Sequence, residues 1–224
     1  SFNNDSGFSI VSYTGTGSAG SIKHGMNIAP KMVIVKSRSG TGEWITWHTG
    51  INIQAKLSLN TTDAVYNPGS GIYWNSTLPT SSVFSVGTSG SLNGNGVTYI
   101  AYCFADVQGY SKFGSYTGNG NADGSFVHLG FKPAWVLVKN TVDTDDWTIW
   151  DNKREDYAPG NPNESILVTN NADAELDATA RSVDFLSNGF KLRTNNTEIN
   201  TNAEVYIYMA FAENPFVTST GVPT

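Results

Sequence analysis

The side chains best suited to chemistry in this sequence are three histidines, a group of aspartates and a set of tryptophans. His24 and His128 each stand shortly before a glycine, Gly25 and Gly130, at matching places in the chain. Either could serve as a base or a ligand, but a lone histidine beside a glycine is more simply a turn or surface residue. His48 stands where the second half of the chain has Asp151, which argues against a shared catalytic histidine. No H-E-x-x-H, G-x-S-x-G or cysteine-rich spacing accompanies them. Asp143, Asp145 and Asp146 share one segment, and Asp151 follows a few residues on. Glycoside hydrolysis needs two carboxylates flanking one bond, and Asp-x-Asp also suits calcium. The glycine and terminal glutamate of a calcium loop are missing, so a solvated acidic loop is expected, with no metal and no cofactor.

The aromatics are more suggestive. Trp44 and Trp47 form one pair, Trp147 and Trp150 another, and Trp74 lies in a polar stretch. Tyr66, Tyr73 and Tyr157 also fall in or near loops. Aromatic faces exposed beside Asn and Asp are what a sugar ring stacks on, so these five tryptophans are the candidate glycan contacts. Residues three apart on a strand point to opposite faces, so one member of each pair is expected in the core and the other outward.

Those side chains sit in a text that is written twice. Tyr13-Thr-Gly-Thr-Gly17 returns as Tyr116-Thr-Gly-Asn-Gly120. Pro30-Lys-Met-Val-Ile-Val-Lys36 returns as Pro133-Ala-Trp-Val-Leu-Val-Lys139, and Glu43-Trp-Ile-Thr-Trp-His48 as Asp146-Trp-Thr-Ile-Trp-Asp151. Leu59-Asn-Thr-Thr62 answers to Val168-Thr-Asn-Asn171, and Tyr99–Asp106 to Tyr206–Glu213, with the spacing drifting by a few residues as loop insertions would make it. The pattern implies two homologous modules, 1–106 and 107–224, the second ending in a polar tail. The short β-branched and aromatic runs 32–36, 44–47, 97–104, 135–139, 147–150 and 205–211 read as strands, the two longest lying centrally in a sheet. Residues 183–192 read as a hairpin turning at Asn188-Gly189 in a type I′ turn. Only 171–178 carries a helical pattern, and a loop is the alternative there. The expected fold is all-β, two tandem β-sandwiches of a jelly-roll or lectin-like kind. The glycine phrases are expected to supply positive φ in turns rather than a phosphate cradle, because no helix follows directly.

Composition narrows the class further. Of 224 residues, 39% are hydrophobic, enough for a core, and only 14% are charged, against about 25% in ordinary soluble domains. The net charge of −6 disfavours nucleic-acid and polybasic membrane contacts. Cys103, the one cysteine, allows no internal disulfide and stands in an apolar run. No run is long enough for a transmembrane helix. Five N-x-S/T sequons, at Asn4, Asn60, Asn75, Asn163 and Asn195, are ordinary in so Asn- and Thr-rich a chain.

The text "YIAYCFADVQGYSKFGSYTGNG" from Tyr99 and "YIYMAFAENPF" ending at Phe216 resembles an uncharacterised repeat domain of tailed-bacteriophage structural proteins, common in phages of marine bacteria, and the resemblance covers Gly109 to Phe216. The first module resembles it more loosely, at Tyr13–Gly17, Pro30–Lys36 and Tyr99–Asp106. That resemblance implies a non-enzymatic virion protein, the C-terminal part of a longer tail-fibre or spike chain that adheres to the host surface. Its implied partners are other virion proteins, a bacterial surface glycan and further copies of itself, a trimer being common in fibres. It brings no established catalytic residue. The alternatives are a capsid or tail decoration protein of purely structural role, and a secreted carbohydrate-binding module.

Overall fold

The computed structural model describes residues 1–154, 161–177 and 179–215. The chain is all-β and divides into two compact units, Ser1–Asp106 and Val107–Thr224. The first unit contains β1 (Phe2–Asn3), β2 (Phe8–Thr14), β3 (Gly20–Lys23), β4 (Met32–Ser37), β5 (Ile45–His48), β6 (Leu57–Ser58), β7 (Val83–Val86), one helical turn α1 (Gly90–Asn93) and β8 (Thr98–Phe104). Six of these strands form an antiparallel sheet in the order β1-β2-β8-β4-β5-β6, and β3 pairs with β7 in a second sheet. Strand β8 lies between β2 and β4, as its long apolar run requires. Its buried and half-exposed residues alternate, so Tyr99, Ala101 and Cys103 reach one face together. They meet Val33, Val35 and Trp47 of the large sheet and Phe84 and Val86 of the small one in a single core, a two-layer sandwich. Burial pushes the Cys103 thiol up to about 12, so it behaves as a small apolar side chain.

The second unit contains β9 (Ser111–Thr117), β10 (Phe126–His128), β11 (Pro133–Asn140), β12 (Trp147–Asp151), β13 (Ser165–Val168), β14 (Leu176–Asp177), β15 (Val183–Leu186), β16 (Gly189–Leu192), a helical turn α2 (Thr197–Asn200) and β17 (Val205–Ala212). Its large antiparallel sheet runs β14-β13-β12-β11-β17-β9, and β10-β16-β15 form the second layer. Strand β17 is interior, paired with β11 on one side and the edge strand β9 on the other. Val136, Val138, Trp150 and Tyr206 from the large sheet enclose a core with Phe185 and Phe190 from the small one.

Two local expectations are corrected. The 183–192 hairpin forms, but Leu186 pairs with Gly189, so the turn residues are Ser187 and Asn188. Neither they nor Gly189 has a positive φ, which excludes a type I′ turn. Gly189 is required for another reason: a Cβ there would lie 2.0 Å from the Val127 carbonyl oxygen of the adjacent β10. Residues 171–177 are not helical, because Leu176 and Asp177 instead pair with Ile166 and Ser165 at the sheet edge. Helical turns lie at α1 and α2, and a 3-10 turn covers Thr179–Arg181.

Those turns explain the doubled glycine phrase. In the first unit the buried Asn93 amide donates to the carbonyls of Gly87 (2.6 Å) and Ser18 (2.7 Å), and its Oδ1 accepts from Thr16 N at 2.9 Å. In the second, Asn200 donates to Thr194 (2.7 Å) and Asn121 (2.9 Å) and accepts from Asn119 N at 2.9 Å. The loop thus lies directly on the helical turn. A Cβ at Gly15 would come within 2.3 Å of the Gly94 oxygen, and one at Gly118 within 2.2 Å of the Thr201 oxygen. Gly17 and Gly120 are the positions with positive φ, +74° and +64°. Stacked tyrosines complete each joint. Tyr13 and Tyr99 stack at 5.2 Å, Tyr116 and Tyr206 at 5.0 Å. Their hydroxyls donate to carbonyls of the helical turn: Tyr13 to Leu92 and Tyr99 to Gly90, Tyr116 to Ile199 and Tyr206 to Thr197. Carbonyls that so short a helix leaves without intrahelical partners are satisfied in this way.

Removing the Asn200 amide strands the buried Thr194 carbonyl and takes partners from the part-buried Asn121 carbonyl and Asn119 N–H. Asn200→Ala is expected to lower stability by about 2 kcal/mol in urea unfolding, whereas exposed Asn202→Ala changes it by less than about 0.5 kcal/mol. Equal effects of the two substitutions would contradict the role assigned to the amide.

Candidate functional site

The residue types that first suggested chemistry are mostly engaged in holding the fold. His24 is buried, its Nδ1 accepting from Met26 N and its Nε2 lying 3.1 Å from the Thr80 carbonyl. Burial holds its pKa below the ordinary histidine value, against the opposing effect of the Thr80 contact. His48 is buried with Nδ1 accepting from Gly50 N. His128 is exposed on β10. The acidic segment is not simply solvated, a correction to the sequence reading. Asp145 accepts from Asn140 Nδ2 at 2.7 Å, and Asp146 accepts from Asn170 Nδ2 at 2.8 Å and faces Arg181. Asp151 pairs with Arg154. Among the described residues no group of three His, Cys, Asp or Glu side chains is arranged to hold a metal ion.

The tryptophans are likewise redistributed. Trp47, Trp74, Trp147 and Trp150 are all buried, none more than 3% exposed, so no sugar face can reach them. The indole of Trp74 donates to the Ala55 carbonyl at 3.0 Å and that of Trp150 to the Arg181 carbonyl at 2.9 Å. The expected outward member of each pair is found at Trp44, which is half-buried and stacks on Tyr102 at 6.1 Å, but not at Trp147. Tyr157 lies outside the described residues.

What remains is a groove at the β6 edge of the first unit, about 540 Å³ in volume and lined by Lys56, Asp63, Ala64, Val65, Tyr66 and Tyr73. Its floor is set by the core. The Trp74 indole fixes Ala55, and the next residue, Lys56, exchanges both backbone hydrogen bonds with Tyr66 (2.9 and 3.0 Å). That bridge carries Tyr66 to the surface, where its ring is 53% exposed. Tyr73, nearly buried, meets it edge-on with centroids 6.3 Å apart and planes at 85°. Lys56 is buried but not uncompensated. Its ammonium donates to the Glu43 carboxylate and to Ser58 Oγ (2.8 Å), and Ser58 Oγ donates to the same Glu43 oxygen at 2.7 Å. Asp63 is exposed, accepts from Thr61 Oγ1 at 2.8 Å, and pairs with no lysine or arginine among the described residues.

The corresponding edge of the second unit is chemically different. There Ile166 pairs with Leu176 as Lys56 pairs with Tyr66, and Ile166 is in the core. Sequence reasoning picked out Tyr66 and Tyr73 as loop aromatics but missed Lys56, Glu43 and Asp63. The signal was the break in the repeat at Lys56 and Tyr66, blurred because loop insertions shift the spacing there.

Among the described residues, His24, His48 and most of the aspartates singled out above are tied into the scaffold, and the first unit carries an open groove lined by two tyrosines. The chain belongs to the family described as a domain of unknown function, DUF7483, which it matches over residues 1–215. No curated protein matches it. Two solved structures are similar to it at 11% identity: the STIV MCP, covering 93% of this chain and 98% of that one with a TM-score of 0.28, and the major capsid protein P2 from Bacteriophage PM2, covering 93% and 100% with a TM-score of 0.24. At such TM-scores the likeness decides neither fold nor role.

The Lys56 and Ser58 hydrogen bonds hold the Glu43 carboxyl below its usual value of 4.5. A depressed carboxylate pKa contributes stability that is fully present above the unfolded value and is lost as pH falls through the lower folded value. Glu43→Gln is therefore expected to flatten the acid limb of a plot of urea midpoint against pH. It should also lower the midpoint at neutral pH, because Lys56 is left without its counter-charge. An unchanged acid limb would show that the pair carries no such linkage.

Proposed function

We propose that the chain is a non-enzymatic structural protein of a tailed-phage particle, a tail-fibre or spike segment made of two copies of one β-sandwich module, and that its first unit adheres to bacterial surface glycan through the Tyr66 groove. The observation that carries this reading is the exposed Tyr66 ring beside the Asp63 carboxylate on a floor fixed by buried hydrogen bonds. A flat aromatic face next to polar acceptors suits a saccharide ring, which has an apolar face and a hydroxyl rim. The sequence resemblance supplies the phage setting. A surface poor in charge and rich in Ser, Thr, Asn and Gly agrees with it. The histidines and the aspartates of the 143–151 segment form no set facing a common reaction centre, which favours binding over turnover. Other virion proteins and further copies of the chain are the expected assembly partners. No helix among the described residues is long and apolar enough to cross a membrane.

Fluorescently labelled chain added to candidate host cells should bind saturably. Tyr66→Ala should weaken that binding by about tenfold, equivalent to 1.4 kcal/mol, while Leu176→Ala on the matching edge of the second unit leaves it unchanged. Absence of saturable binding at micromolar protein would overturn the adhesion reading in favour of a purely structural decoration role.

A further inference from the structure

The chemistry of the groove is more selective than a general sugar platform. Tyr66 and Tyr73 stand at 85° to one another, so their rings form two adjoining walls rather than one flat surface. The negative faces of aromatic rings attract a cation placed against them, and two walls at a right angle are half of a cage for a rounded ammonium group. Asp63 lines the same groove and brings a carboxylate with no cationic partner among the described residues. The one cation present is already matched. Lys56 is bound by Glu43, and its side chain is only 11% exposed. The Lys56 and Glu43 charges cancel, which leaves the Asp63 charge to set the sign of the site. Ala64 and Val65 complete the lining and offer apolar contact to methyl or methylene groups.

We propose that the ligand group seated between Tyr66 and Tyr73 is an ammonium, carried on a surface polysaccharide as a quaternary ammonium substituent or as the protonated amine of an amino sugar. The proposal rests on the groove being the adhesion site and adds the charge of what it takes. Anionic saccharides are disfavoured, because Asp63 meets them with like charge. At the matching edge of the second unit, the described residues place Ile166 and Leu176 where the first unit has Lys56 and Tyr66.

The test is titration of the whole chain, followed by calorimetry and by the ring-proton NMR signals of Tyr66. The probes are choline, its neutral isostere 3,3-dimethylbutan-1-ol, glucosamine and N-acetylglucosamine. At least one ammonium probe should bind, and at least about fivefold more tightly than its neutral counterpart. The choline pair and the glucosamine pair separate the two sources of the charge. Tyr66→Ala should abolish the response, Tyr66→Phe should retain it, and Asp63→Asn should weaken it by about fivefold with circular dichroism unchanged. Equal binding of charged and neutral probes, or an Asp63→Asn variant that binds as well as the parent, would overturn the ammonium assignment. If cell binding then still depends on Tyr66, the adhesion reading stands without it. Loss of both the probe response and the cell binding would remove both.

Discussion

Each unit depends on one buried side-chain amide. Asn93 and Asn200 sit at the ends of helical turns of four residues, far too short to be stable alone. Each amide instead joins that turn to the loop leaving the strand at one side of the central β8 or β17, and the tyrosine hydroxyls satisfy the remaining carbonyls. The joint leaves no space for a Cβ at Gly15 or Gly118. Sequence variation at that place is therefore restricted by contact as well as by backbone angle. The joint anchors the ends of β2 and β8, and the sheet continues outward through β4, β5 and β6 to the edge where the groove lies.

Function is assigned where the two units depart from one another. The series β2-β8-β4-β5-β6 and β9-β17-β11-β12-β13 run in the same order, and both units carry the tyrosine stacking and the amide joint. They differ at the sheet edge, where Lys56 and Tyr66 take the places that Ile166 and Leu176 occupy in the second unit. Placing a lysine at such a position requires a counter-charge, which Glu43 supplies with Ser58 bridging. The aliphatic pair needs nothing of the kind. The polar network fixes the Lys56 side chain, and the backbone bonds between Lys56 and Tyr66 hold the Tyr66 segment at the edge with its side chain exposed.

Much of the scaffold was legible in the sequence because its signals are local. The apolar runs at 32–36, 97–104, 135–139 and 205–211 fall on strands, and the long ones are interior, although β17 stands next to the edge strand β9. The signals that failed were those whose meaning depends on a distant partner. Asn188-Gly189 looked like a turn, but Gly189 is needed for close approach to Val127 across the sheet. The pattern at 171–177 looked helical, yet the β13 edge offered backbone partners. Trp47, Trp74, Trp147 and Trp150 were candidate contacts because loops and short strands can expose them, and tertiary packing covers them all. The groove itself was legible only as two loop tyrosines. The β5-β6 pairing brings Glu43 to Lys56, and the Lys56–Tyr66 bridge turns the segment carrying Asp63 back to the same edge, so neither grouping shows in the linear sequence.

Amide hydrogen exchange of the full chain, with and without a host polysaccharide that it binds, tests the central claim most directly. Slowed exchange within residues 56–66, with residues 165–177 unchanged, is the result the account predicts. Protection confined to the second unit, or bound polysaccharide without protection in 56–66, would contradict it.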